Sequence, residues 1–200
     1  MQSPENNERD IMLEVLRNHI TNRLGNDLEN LDKVLATFKY IKTKRNEQIL
    51  LQGETCKFVY FVAKGCLQIY IYDKDLNETT RDIVVEDNWC SELLSFGSGM
   101  PATENIRTVE PCDLFAIDKQ NFQTMMETVP QFDKVYKQIL ESSYANSVYR
   151  INTFVSLSAL ERIKWLMNYR PMLMTRLSSK LIASYLGINK VVYSRLKSKL

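Results

Sequence analysis

Lys190, Ser194, Arg195, Lys197 and Ser198 recur at spacings that gather them on one side of a short helix near the end of the chain. Such a face offers electrostatic and hydrogen-bonding chemistry. Lysine and arginine neutralise phosphate, and a polar helix face presents donors to base edges in a DNA major groove. The competing reading is an ordinary helical hairpin with a solvated basic face. Covalent and metal chemistry has little raw material. His19 is the only histidine and lies in a helical N-terminal stretch, so neither a serine–histidine pair nor a histidine metal site is expected. Cys56, Cys66, Cys90 and Cys112 are far apart, with no C-x-x-C pair, and read as buried thiols. No catalytic residue, metal ligand or cofactor is expected, and the chain does not read as an enzyme.

The basic face needs a scaffold, and residues 177–200 supply one as two short helices joined by a tight turn. Ser178 or Ser179 can cap the first, because a serine hydroxyl accepts an orphan helix N–H. Leu181, Ile182, Tyr185 and Leu186 give it an apolar face. Gly187 stops it, since glycine takes the left-handed turn at no steric cost. Asn189 caps the second helix, whose apolar face is Val192, Tyr193 and Leu196. Ala183, four residues before Gly187, lets two backbones approach closely. This is the spacing of a helix-turn-helix, whose second helix enters the major groove.

Charge divides the chain. After Glu161 there are 9 basic residues and no acidic one, while the remainder holds 17 basic against 24 acidic. A basic C-terminal module on an acidic body is the footprint of a nucleic-acid reader. The 200 residues allow one or two domains, and 44% hydrophobic content suffices for a core. No apolar run reaches membrane-spanning length, and no signal-peptide pattern occurs. A cytoplasmic protein without membrane association is expected.

Upstream, residues 1–7 read as frayed and 11–23 as an amphipathic helix carrying Ile11, Val15, Leu16 and Ile20. Gly25 ends it, and Asn26 or Asp27 starts a second helix with Leu28, Leu31, Val34 and Leu35. From 38 to 117 the texture is all-β. Strands are expected at 38–43, 48–51, 58–62, 67–72, 78–85, 106–109 and 114–117, rich in β-branched and aromatic residues and separated by turn signals. A longer irregular loop is expected over 89–103, where functional residues of β-folds tend to sit. Residues 120–127 form a short helix, and Pro130 opens a long one reaching 155. Phe132, Val135, Tyr136 and Ile139 make an early apolar patch on it. Leu140, Tyr144, Val148, Ile151 and Val155 follow at spacings of 4, 4, 3 and 4. These stripes can pack on the helix's own domain and on a twin helix; a single core-packed helix is the competing reading. Ser158 and Glu161 form a capping box that opens a helix over Ala159–Tyr169, leaving a hinge near 153–157. Pro171 ends that helix, and Pro171–Arg176 is a short connection.

An acidic β-domain, a long helix, a hinge and a basic helix-turn-helix, in that order, resemble the catabolite-activator/fumarate-nitrate-regulator (CRP/FNR) family of bacterial transcription regulators. The resemblance covers roughly residues 38–200. It is carried by Gly53-Glu54, Tyr60-Phe61-Val62 with Gly65, Glu92-Leu93, Phe122 with Pro130, and Ala183, Gly187 and Arg195. It implies an α+β chain in three parts. Residues 1–128 hold N-terminal helices and a cyclic-nucleotide-binding-like β-roll, a double-stranded β-helix that senses an effector. Residues 129–156 are a long dimerisation helix and hinge. Residues 157–200 are a helix-turn-helix, winged-helix-like DNA-binding domain that effector binding reorients.

In that family a cassette runs from a glycine-glutamate pair to an arginine followed by serine or threonine. The glutamate accepts from the ribose hydroxyl, and the arginine neutralises the cyclic phosphate. Here Glu92 and Leu93 match the first end, with Ser91 in place of the glycine. Ala102 and Thr103 stand at the second end, so the arginine is missing. Ser147 falls where the family lets a hydroxyl touch the base. Losing a charge-assisted partner of a buried phosphate costs on the order of 1.5–3 kcal/mol, at least about tenfold in affinity. Cyclic AMP is therefore not the expected effector. Iron–sulfur and haem sensing also fit poorly, for want of clustered N-terminal cysteines and of a histidine in the roll.

On the DNA side, Lys190 and Arg195 match family positions that contact phosphate or guanine. Arg195 is the base-reading candidate, because its fork fits guanine O6 and N7. Val191 replaces a glutamate common between them and would meet a thymine methyl. Ser178, Ser179 and Lys180 are phosphate-contact candidates, and Ser194 shares the face of Arg195. The wing hairpin is cut to Pro171–Arg176. Leu140, Tyr144, Val148, Ile151 and Val155 form the expected dimer interface. The resulting expectation is a homodimeric, sequence-specific DNA-binding transcription regulator, with double-stranded DNA and RNA polymerase as partners. Alternatives are a ligand-binding signalling module acting through protein contacts, or a regulator that does bind a cyclic nucleotide.

Overall fold

Short apolar runs, buried on both faces in β-strands such as Phe58–Lys64 and Cys112–Asp118, withdraw from water, and two four-stranded sheets result. The computed structural model describes residues 4–24 and 31–200. Its elements are α1 (Pro4–Leu24), α2 (Leu31–Ala36), β1 (Lys39–Thr43), β2 (Gln48–Leu50), β3 (Phe58–Lys64), β4 (Cys66–Tyr72), β5 (Glu78–Val85) and β6 (Asn88–Cys90). There follow α3 (Leu93–Ser98), β7 (Asn105–Thr108), β8 (Cys112–Asp118), α4 (Lys119–Thr128) and α5 (Pro130–Ser156). The last four are α6 (Ala159–Tyr169), α7 (Pro171–Arg176), α8 (Ser179–Tyr185) and α9 (Lys190–Lys197). One sheet has the order β1-β8-β3-β6 and the other β2-β7-β4-β5. In the first, Phe115 of β8 lies opposite Tyr40 on one side and Phe61 on the other, and Phe61 also faces Trp89 of β6. This is a β-roll with helices packed on it.

The chain forms two compact units: Met1–Ile69 with Ile83–Leu140, and Tyr70–Asp82 with Glu141–Leu200. In the first, Leu16 and Ile20 of α1, Phe61 and Val62 of β3, Leu114 and Phe115 of β8, Met125 of α4 and Phe132 of α5 share one buried core. Gly65 joins β3 to β4 at φ +105°, and a Cβ there would lie 2.8 Å from Cys112 Cα. No larger residue fits that approach. In the second unit, Ile163, Leu166, Leu173, Ile182 and Tyr193 are fully buried.

The expected strands are all present, and the differences lie between and beyond them. Residues 4–7 are helical, not frayed, because α1 extends to Pro4. Ile11 is exposed, so the buried face of α1 is set by Leu16, His19 and Ile20. Gly25, Asn26, Asp27 and Leu28 lie outside the described residues. The expected loop over 89–103 contains the end of β6 and the whole of α3. Pro171–Arg176 is a helix rather than a connection. Proline suits its first position because the missing N–H would have had no intrahelical partner anyway.

Candidate nucleic-acid interface and effector region

The basic face is built from its caps upward. Ser178 accepts the amide of Leu181 at 3.2 Å and so starts α8, which decides between the two serines. Ile188 N donates to Ala183 O at 2.9 Å across the turn, with Gly187 at φ +62°. A Cβ on Gly187 would lie 2.5 Å from the Phe154 ring, so glycine is needed for both conformation and space. Asn189 accepts the amide of Val191 at 2.9 Å and starts α9. Tyr193, Ile182, Ala183, Tyr185, Leu186 and Ile188 are buried.

With Tyr193 turned inward, Lys190, Val191, Ser194 and Arg195 all point to solvent. Residues four apart on a helix are neighbours, so Lys190 adjoins Ser194 and Val191 adjoins Arg195. Val191 is 75% exposed, unusual for a branched apolar side chain with no structural duty. Ser178, Ser179 and Lys180 are exposed at the start of α8.

Not every basic residue of this segment faces out. Arg162 donates from Nη1 to Leu186 O at 2.9 Å and from Nε to Leu157 O at 3.1 Å. Its guanidinium carbon lies 5.0 Å from the Phe154 ring centroid. Arg170 Nη1 reaches the Tyr185 hydroxyl at 3.5 Å. Arg150 of α5 is held within the same unit, and burial lowers its pKa from the ordinary arginine value. Sequence patterning had no means of finding these roles, since charge counts carry no orientation.

In the first unit, Glu92 is buried and caps α3. Its Oε2 accepts the Ser95 amide at 2.6 Å, and its Oε1 accepts the Thr103 hydroxyl at 3.5 Å. Ser95 is itself buried, and its hydroxyl accepts the Cys56 amide at 2.9 Å. Ala102 is buried and tied through its backbone, donating to Glu54 O and accepting from Gly53 N, both at 2.8 Å. Leu93 and Thr103 are exposed. Arg107 donates from Nε to Gln68 Oε1 at 2.9 Å, between strands β7 and β4. Glu92 and Thr103 are thus brought together, with the apolar Ala102 beside Thr103 in the chain. Ser147 belongs to the second unit, where it is exposed and donates to Ser143 O at 2.9 Å.

Along α5 the apolar stripe faces away from the packed side. Tyr144, Ile151 and Val155 are 72%, 60% and 83% exposed. Thr153, about half a turn from them at 3.6 residues per turn, is 5% exposed. Leu140 and Val148 are intermediate.

Residues 40–129 match the family described as cyclic nucleotide-binding domain. The roll is thus similar to a cyclic nucleotide-binding domain. No curated protein matches the chain by sequence. Among solved structures, the c-di-GMP-responsive global regulator CLP of Xanthomonas campestris superposes with a TM-score of 0.71 at 17% identity, over 85% of this chain and 89% of that one. FixK2 of Bradyrhizobium japonicum gives 0.68 at 15% identity, over 82% and 84%. CooA of Carboxydothermus hydrogenoformans gives 0.70 at 18% identity, over 90% and 82%. A chain described as a transcriptional regulator of the CRP/FNR family, from Eubacterium rectale, gives 0.67 at 17% identity, over 86% and 83%. The resemblance to CRP/FNR regulators read from the sequence is borne out in the fold. Among the described residues no helix is long and apolar enough to cross a membrane.

Proposed function

We propose that this protein is a homodimeric, sequence-specific DNA-binding transcription regulator of the CRP/FNR type. The observation that carries the reading is the outward face of α9. Lys190, Ser194 and Arg195 stand exposed beside a bare Val191, while the other side of the helix is sealed by Tyr193. In this reading α8 and α9 form the helix-turn-helix and α9 enters the major groove. Arg195 reads guanine, Val191 meets a thymine methyl, and Lys190, Ser178, Ser179 and Lys180 contact phosphate.

Residues 1–128 serve as sensor, 129–156 as dimerisation helix and hinge, and 157–200 as reader. The stripe Leu140, Tyr144, Val148, Ile151 and Val155, of which Tyr144, Ile151 and Val155 are exposed and Leu140 and Val148 partly so, is the surface that a second copy covers. A core-packed helix would bury its apolar side, whereas α5 buries Thr153 and exposes Val155. The effector is not cyclic AMP held in the usual manner. Ala102 offers no charge to a cyclic phosphate, and Glu92 is engaged in capping α3. Operation in the cytoplasm with RNA polymerase follows from this reading.

Selection of bound fragments from random duplex DNA, followed by a salt titration, tests it. Enrichment of a paired motif and a steep linear fall of log K with log[salt] are expected. Retention of no sequence above random DNA at any salt concentration would overturn it and favour a signalling module that acts through protein contacts.

A further inference from the structure

One histidine joins α1 to the strand that leads into the Glu92 cassette. His19 is the single histidine of the chain, and its side chain is 1% exposed. Its Nε2 accepts the Trp89 indole N–H at 2.8 Å, and its Nδ1 lies 2.6 Å from Asp87 Oδ1. The ring meets those of Phe61 and Trp89 edge-on, at 4.7 and 5.6 Å between centroids. All of these residues, and Glu92, belong to the first compact unit.

β6 has little else to hold it. It is three residues long and lies at the edge of its sheet, with β3 as its neighbour. Asp87, just before it, has φ +60°, a left-handed conformation that costs any residue but glycine. Ser91 and Glu92 follow it directly. Ser91 Oγ donates to Phe58 O at 3.1 Å, and Glu92 caps α3. Elements with so few contacts open at the lowest free energy.

An indole nitrogen only donates, and a histidine nitrogen accepts only while it carries no proton. With the ring proton on Nδ1, both partners are satisfied. A second proton, taken from water onto the Nε2 lone pair, sets two N–H groups against each other, so Trp89 must leave the ring. The imidazolium keeps Asp87 through a charge-assisted bond, and Asp87, 62% exposed, ties the buried ring to water. Burial holds the ring's pKa below 6.5. Of the charged groups, Asp87 favours the imidazolium and Arg23 of α1 opposes it. β3 and the residue before β1 present Phe61 and Phe38 to this cluster, and neither ionises.

We propose that His19 is a proton-operated latch on the effector cassette: neutral, it holds β6 through Trp89, and protonated, it releases β6 with Ser91 and the Glu92 cap of α3. The proposal supplies a stimulus for the sensor role given to the roll above and rests on that reading. The latch has two discrete arrangements, joined and parted, as a switching element requires.

Nuclear magnetic resonance and amide hydrogen exchange on the full chain, without DNA, test this. The single histidine is expected to titrate below pH 6.5. Protection of residues 88–98, corrected for intrinsic rates, is expected to fall about fivefold with the same midpoint, the worth of an ordinary hydrogen bond, while β8 is unchanged. His19→Gln is expected to abolish this pH dependence. Trp89→Phe leaves no donor to oppose the protonated ring, so it is expected to raise the histidine's midpoint and to make cassette exchange independent of pH. A ring that titrates while residues 88–98 stay equally protected would overturn the latch. So would the same pH response in His19→Gln, or loss of protection in β8 together with the cassette. Because no DNA enters these measurements, a chain that retains no duplex defeats the regulator reading and leaves the latch to be decided by exchange.

Discussion

Glu92 closes the first turn of α3 by accepting the amide of Ser95 at 2.6 Å. A side-chain cap is worth typically about 1 kcal/mol, and a buried carboxylate with a second donor sits at the upper end of that range. Glu92→Ala is therefore expected to destabilise the roll by about 1–2 kcal/mol with no ligand present, and Glu92→Gln by less. Urea unfolding followed through Trp89, which lies in the same unit, measures this. An unchanged midpoint in Glu92→Ala would mean that the carboxylate has no structural share and serves a ligand only.

The same geometry bears on the effector. Neither Ala102 nor Thr103 carries a charge, and Arg107 is engaged with Gln68. Cyclic AMP is expected to bind no more tightly than micromolar, if at all, in titration calorimetry. A sub-micromolar isotherm would show that another cation supplies the phosphate contact.

His19 makes the stability of the first unit depend on pH. Its Nε2 accepts the Trp89 indole N–H at 2.8 Å, and its Nδ1 lies 2.6 Å from Asp87 Oδ1. The neutral ring with its proton on Nδ1 satisfies both partners. Burial pulls its pKa below the ordinary value of 6.5, with Asp87 pulling the other way. The unfolded histidine thus binds its proton first as pH falls, so unfolding takes up protons and stability rises with pH across that window. The contribution is full above pH 6.5 and is lost as the pH drops toward the folded-state value. Urea midpoints at pH 7.5 and 5.5 are expected to fall less in His19→Gln than in wild type. Equal falls in both would locate the pH dependence elsewhere.

Much of this was legible in the residues, and what was not has definite causes. The caps Ser158 and Asn189 are legible by residue type and position, whereas Ser178 and Ser179 are equal candidates between which the bond to Leu181 N decides. Strands of four or more residues announced themselves as apolar or alternating runs between turn signals. β6 and α3 did not. Three residues of β6 cannot establish a period, and α3 contains Gly97 and two serines with little apolar rhythm. The capping role of Glu92 was hidden for the same reason, since a cap is recognised only once its helix is. The inward roles of Arg150 and Arg162 are not legible because a charge count carries no orientation and the carbonyls of Thr80, Tyr185 and Leu186 are distant in sequence. Pro171 ends α6 as expected, and its second role, opening α7, is not legible because proline ends one helix and opens the next with equal ease.

Base reading and phosphate contact are separable on the proposed interface. Arg195→Ala is expected to cost about 1–3 kcal/mol at the selected site and to relax preference at one base pair. Lys180→Ala is expected to weaken all duplexes about equally and to lower the salt slope by about 1. Fluorescence anisotropy on cognate and scrambled duplexes measures both. Equal loss on all sequences for Arg195→Ala would make it a phosphate contact.

Dimerisation has the most direct physical argument. On the second half of α5 Thr153 packs inward, with Arg150 and Phe154 partly buried beside it, and the apolar residues left in water are Tyr144, Ile151 and Val155. Apolar area removed from water is worth roughly 25 cal/mol per Å², so a continuous stripe of this kind is a standing driving force for association. A twin helix with the same stripe is the natural cover, because the spacings of 4 and 3 keep the seam in line along both helices. Wild-type protein is expected to sediment as a dimer at micromolar concentration. A charge in the seam has no partner, so Ile151→Asp and Val155→Glu are expected to shift the chain to monomer while leaving its thermal unfolding intact. Both variants are also expected to lose affinity for a paired site far more than for a single half-site. A monomeric wild type, or variants that sediment as dimers, would move the interface off α5.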